Sequence, residues 1–107
     1  KRWILAGVVN GGSIVVDQGA AQALRTQGRS LLPAGIAAVE GEFDRGDTVP
    51  ILFREPGSVA AEIARGVTRY PSDELRRIKG CHSDRVVEIL GYTYGPVAVH
   101  RNDMIVL

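Results

Sequence analysis

Apolar residues along this 107-residue chain fall in short runs broken by glycine, more often alternating than at helical spacing. Val49, Ile51 and Phe53 alternate cleanly and predict a strand, with Pro50 on its outward face at an edge or a bulge. Glu55-Pro56-Gly57 reads as a hairpin turn into Val59, Ala61 and Ile63, a strand that continues towards Tyr70. Gly66 within it marks a bulge or a close backbone approach. Further strands are predicted at Arg2–Gly7, Ser13–Val16 and Gly35–Phe43, the last followed by an Asp44-Arg45-Gly46-Asp47 turn. A final pair, Val97–His100 and Met104–Leu107, is joined by Arg101-Asn102-Asp103.

Three stretches read as short helices. Asp17 is a good N-cap for Gln18–Gln27, which ends at Gly28 in the left-handed C′ position. Ala20, Ala23, Leu24 and Gln27 form its stripe, and with only one large side chain there the helix must lie close to its neighbour. Ser72 is expected to cap Asp73–Lys79 before Gly80, and Ser83 to cap Asp84–Leu90 before Gly91. Leu75, Ile78, Val86, Ile89 and Leu90 supply their buried faces. The fold class is mainly β with short α-helices, as a small closed or nearly closed barrel that hides its sheet edges.

Composition narrows the function more than the fold. The length suits one domain with one core, spanning 1–107. No apolar run approaches the roughly 20 residues that cross a bilayer. The start, Lys1-Arg2-Trp3-Ile4, reads as a piece of a longer protein. Thirteen Lys and Arg against 12 Asp and Glu leave a net charge of +1, no general argument for nucleic acid. A single cysteine excludes an internal disulfide and fits a cytoplasmic setting.

Catalytic signatures are missing. Cys81, His82 and His100 lack the paired short spacings of a zinc site. Ser83 has no nucleophile elbow around it. Glu40, Glu42, Asp44 and Asp47 surround a solvated turn, a poor place to split carboxylate pKa values. Neither a phosphate-binding loop ending in Gly-Lys-Ser/Thr nor a dinucleotide fingerprint occurs. The expectation is no catalytic, metal or cofactor-binding residue in this chain.

Binding signals are stronger. Gly28, Arg29, Ser30, Leu31 and Leu32 form a glycine-led loop of a kind that offers backbone N–H groups beside a positive side chain, which suits phosphate. Arg25 lies near the end of the preceding helix, and Arg65 and Arg69 flank Gly66. Brought together, these four arginines would make an anion-attracting surface; apart, they are surface arginines paired with Glu40, Glu42, Glu62 or Asp73. Aromatic residues are too scattered for sequence-specific reading of single strands.

Gly19-Ala20, Ala23-Leu24, Gly28, Ser30-Leu31-Leu32, Gly35-Ile36, Gly46-Asp47, Val49 and Ile63-Ala64-Arg65-Gly66 together resemble the PUA domain, a small RNA-associated pseudo-barrel. Lys1-Arg2-Trp3-Ile4, Val16-Asp17, Tyr70-Pro71-Ser72-Asp73-Glu74, Ile78-Lys79-Gly80, Ile89-Leu90-Gly91-Tyr92 and Tyr94–Arg101 are similar to one branch of it, the C-terminal domain of bacterial glutamate 5-kinases. The resemblance runs from Lys1 to Leu107, with Pro50 and Asn102 as small departures. It implies a parent enzyme that phosphorylates the glutamate side-chain carboxylate with ATP and magnesium, the first step towards proline, under feedback inhibition by proline. The catalytic residues of such enzymes belong to an N-terminal amino-acid-kinase domain, so none is carried onto this chain. The resemblance further implies an accessory role in activity, inhibition or assembly, with the kinase domain and neighbouring subunits as partners. In RNA-binding relatives the loop matching Gly28–Leu32 lies against the RNA backbone. An RNA-binding module, or the tail of an RNA-modifying enzyme, are the alternative readings.

Overall fold

A computed structural model describes residues 12–107; the strand expected at Arg2–Gly7 lies outside the described residues. Strand β1 (Ser13–Val16) leads through helix α1 (Gln18–Gln27) and a 3-10 turn (Pro33–Gly35) into β2 (Ile36–Glu40). Strands β3 (Thr48–Phe53) and β4 (Ala61–Thr68) form the expected hairpin. Helix α2 (Ser72–Ile78), a 3-10 turn (Ser83–Arg85), helix α3 (Val86–Leu90) and strand β5 (Val99–Val106) complete the chain.

The five strands form one sheet in the order β2-β1-β3-β4-β5, parallel between β1 and β3 and antiparallel elsewhere. Its two outer strands, β2 and β5, are linked by a short piece of backbone. Leu31 bridges to Val99 of β5, and the same segment becomes β2 at Ile36. The sheet thereby curls into a pseudo-barrel, and β5 gains backbone partners on its outer side. One hydrophobic core fills the interior, with Ile14, Leu24, Leu31, Ile51, Tyr70, Leu75, Ile78 and Val99 among its fully buried members. On burial of this kind, each large aliphatic side chain contributes roughly 1.5–3 kcal/mol.

Helix α1 forms as its sequence dictates. The Asp17 carboxylate accepts from the Ala20 amide at 2.8 Å, and Gly28 takes φ 60° at the C-terminus. Its buried residues are Ala21 and Leu24, while Gln27 is exposed rather than part of the stripe. The close approach is to Gly35, where a Cβ would stand 2.6 Å from Ala20 Cβ.

Four local expectations are corrected. Pro50 lies in β3, the central strand; pairing to β1 begins only at Ile51, and the β3–β4 register shifts between Ile51 and Leu52. The missing proline N–H is thus placed just before one ladder starts and one residue from an irregularity. Ser72 is the first residue of α2, not its cap: Pro71 holds the N-cap position without a side-chain bond. Ser83 does not cap the third helix either, because His82 Nδ1 accepts from the Asp84 amide. Lastly, the two strands expected at the end do not pair with each other but form the single strand β5, which pairs with β4 at both its ends. Gly66 pairs with Met104 and Thr68 with Val99, so the expected turn survives as a bulge over 100–103.

Candidate functional site

Helix α1 delivers the chain into the Gly28 loop, and the loop is tied down almost residue by residue. The amides of Gly28 and Arg29 both turn back to Ala23 O, the second at 3.3 Å. Leu31 N–H donates to Val99 O at 2.9 Å, and Leu31 O accepts from Ala98 N–H at 2.8 Å. Ser30 Oγ accepts from the Arg101 amide at 2.9 Å. Three amides expected to be bare are therefore engaged by the chain itself, which removes most of a backbone anion cradle. What the loop offers instead is a recess of about 300 Å³ lined by Ala20, Ala23, Leu24, Leu31, Leu32 and Gly35, with Asp17 and Arg29 at its margin.

The four arginines occupy separate places. Arg25 sits in the last turn of α1, where a cation suits the negative end of the helix. It faces the β3–β4 hairpin, in a hollow with Phe53, Glu55, Ser58, Val59 and Ala61. Arg29 lines the loop recess, its Nε donating 2.7 Å to the neutral Gln27 Oε1. Among the described residues neither Arg25 nor Arg29 forms an ion pair. Arg65 is held by Glu62 through Nε and, at 3.1 Å, through Nη2; this hydrogen bond pushes its pKa up. Arg69 Nη2 lies 3.5 Å from Asp103 Oδ2.

Arg69 is nevertheless near the loop. Its amide donates to Ala98 O, and the Ala98 amide donates to Leu31 O, so two strand spacings, about 10 Å, separate Arg69 from Leu31. Gly66 is buried and plays a packing role: a Cβ there would run into Val99 Cγ1 and stand 3.0 Å from Asp103 O. Leu31 is buried, whereas Leu32 is exposed at the recess. Gly28, Arg29, Ser30 and Leu32 of the expected set therefore share one accessible stretch of the loop, with Arg69 across β5.

Several other residues were not singled out from sequence. Arg101 reaches the loop through its backbone, beside Ser30. Arg45, in the turn between β2 and β3, lays its guanidinium 3.9 Å over the Tyr94 ring. Tyr92 and Tyr94 stand exposed in the segment after α3. Periodicity could not separate them from Tyr70, which is fully buried.

A family model described as "PUA domain" matches residues 12–90. The chain belongs to the PUA domain family. This PUA domain is 52% identical, over all its 107 residues, to the glutamate 5-kinase of Deinococcus radiodurans, of which it spans 28%. It is 54% identical over 105 residues to that of Citrobacter koseri, spanning 27% of it. Less than a third of these relatives' length is thus represented. Among solved structures, a PUA domain from Aeropyrum pernix, crystallised as a tartrate complex, superimposes with a TM-score of 0.56 at 30% identity, covering 83% of this chain and 41% of that one. The pseudo-barrel and the mainly-β architecture with short helices agree with that likeness.

No helix among the described residues is long and apolar enough to cross a membrane.

Proposed function

We propose that this PUA domain is the accessory module of a cytoplasmic glutamate 5-kinase, tuning activity, feedback inhibition by proline, or subunit assembly. The parent reaction would transfer a phosphoryl group from ATP, with magnesium, to the glutamate side-chain carboxylate. The observation that carries this reading is identity of 52% spread over the whole chain, beyond the part that defines a generic PUA domain. Among the described residues no group of His, Cys, Asp or Glu is placed to hold a metal ion. ATP, magnesium and glutamate would be held by the part of the kinase that this chain does not cover.

The test is removal of residues 1–107 from the full-length protein, followed by measurement of proline inhibition, magnesium dependence and oligomer mass. A shift in at least one is expected. Unchanged values for all three would remove the accessory role.

A second reading, an RNA backbone contact running from the Gly28 loop along α1, is favoured by one observation: Arg29 in the loop and Arg25 on the hairpin-facing side of α1 form no ion pair among the described residues. Binding through these two residues should weaken with salt with a slope of about −0.9 per phosphate neutralised on a duplex. Arg25→Ala with Arg29→Ala should flatten that slope. Salt-insensitive binding, or none, at micromolar protein would exclude this reading.

A further inference from the structure

After α3, residues 91–96 form neither helix nor strand, yet their backbone is held by side chains, chiefly that of one core residue. The hydroxyl of the buried Tyr70 donates to Gly95 O at 2.6 Å, accepts from the Tyr94 amide at 2.9 Å and lies 3.0 Å from Thr93 Oγ1. Ser83 Oγ donates to Pro96 O at 2.8 Å. A loop anchored in this way holds its outward side chains in one arrangement.

With Tyr70, those side chains form a row of tilted rings that runs out to solvent. Tyr94 leans on Tyr70 with ring centres 5.3 Å apart, and Tyr92 on Tyr94 at 5.4 Å. Arg45 covers the Tyr94 ring. Tyr92 is 43% exposed and Tyr94 36%, more than the other tyrosine of the described chain, which is fully buried. Tyrosine and arginine are the residue types that carry binding energy at protein interfaces, and a preorganised pair of rings loses little entropy on docking. Tyr92 is further oriented by a hydrogen bond from its hydroxyl to Glu74, whose other oxygen, Oε1, is buried without a partner among the described residues.

Charge distinguishes between occupants. Asp44 and Asp47 share a turn with Arg45, Glu74 adjoins Tyr92, and Arg69 is paired with Asp103. A polyanion would meet more of these carboxylates than guanidinium groups here, so nucleic acid is disfavoured. A protein surface with apolar side chains for the rings and a carboxylate for Arg45 is favoured. The greater part of each kinase relative lies outside this chain, which spans 28% of the Deinococcus protein. Covalent attachment would present that part at high effective concentration, so a small patch suffices.

We propose that the Tyr92–Tyr94–Arg45 platform is the face on which this PUA domain docks the kinase part of the full-length protein, in its own or a neighbouring subunit. The identity of the partner rests on the accessory reading above.

The experiment uses the full-length protein with a benzophenone side chain in place of Tyr92, illuminated, digested and analysed by mass spectrometry. Cross-links to peptides outside residues 1–107 are expected, and Arg45→Glu should lower their yield about threefold or more, the loss expected for a cation–π anchor turned repulsive. Circular dichroism of the Arg45→Glu protein checks that the fold is retained. Cross-links confined to residues 1–107, or formed to co-purifying RNA, would overturn the proposal. Cross-links to the kinase part with unaltered regulation on deletion would leave the docking face standing and remove the accessory role. Altered regulation without such cross-links would do the reverse.

Discussion

Leu31 and Val99 exchange backbone hydrogen bonds, Leu31 N–H to Val99 O at 2.9 Å and Val99 N–H to Leu31 O at 3.3 Å. This pair joins the loop after α1 to the last strand and so draws the two ends of the sheet together. It also seats Val99 directly over Gly66, whose missing side chain leaves the room.

Gly66→Ala should therefore destabilise the domain by about 1–3 kcal/mol, as overpacking of a fitted core does. For a domain of this size each kcal/mol lowers Tm by roughly 4–8 °C. Thermal unfolding of the variant checks this, and a wild-type Tm would mean that β5 does not press on β4 as described.

The two serines that read alike in sequence should behave differently. Ser72 Oγ accepts from the Phe43 amide at 3.1 Å and faces Phe43 O at 3.2 Å and Glu42 Oε1 at 3.3 Å. Ser72→Ala leaves a buried amide without its acceptor, a loss of about 1–3 kcal/mol. Ser83→Ala removes one exposed bond to Pro96 O and should fall within about 0.5 kcal/mol of wild type. Urea midpoints of the two variants should separate clearly; equal midpoints would contradict the pinning role of Ser72.

Glu74 should give the fold a titration of its own. Burial, with the charge of Asp73 adding, holds its carboxyl above the ordinary value of 4.5, and Arg77 pulls it down less strongly. The folded chain thus binds this proton at a higher pH than the unfolded chain. The stabilisation that follows is fully present below the unfolded pKa and is lost as pH rises through the folded one. Glu74→Gln keeps an oxygen for Tyr92 and removes the titration, so the variant should gain on wild type as pH rises from about 4 to 7. Denaturant midpoints at several pH values measure the difference; one that stays constant would show that Glu74 is not desolvated.

The helix after Asp17, the left-handed Gly28, the β3–β4 hairpin and the close approach at Gly66 were all legible in the sequence. Each depends on neighbours in the chain or on a residue type with few alternatives: a cap, a positive φ, an alternation of period two, a missing Cβ. The errors were of another kind. Ser72 and Ser83 had the right chemistry for caps, but tertiary partners took their hydroxyls. Pro50 read as marking an edge or a bulge; the parallel pairing of β1 to β3 makes its strand central, and the register shift falls one residue on, between Ile51 and Leu52. Of the two readings left open for the arginines, pairing with carboxylates holds for Arg65, which takes Glu62 as the sequence offered, while Arg69 takes Asp103, which it did not.

By itself, the sequence determined the elements, the mainly-β class and the kinship with PUA domains, because capping, turn geometry and apolar alternation act over a few residues. Tertiary structure alone decided which loop amides remained available, where each arginine found its partner, and that Tyr92 and Tyr94 rather than Tyr70 face outward. Those outcomes depend on which strands lie side by side. Strand adjacency is set by burying one shared core, a quantity to which the whole chain contributes and which no short segment contains.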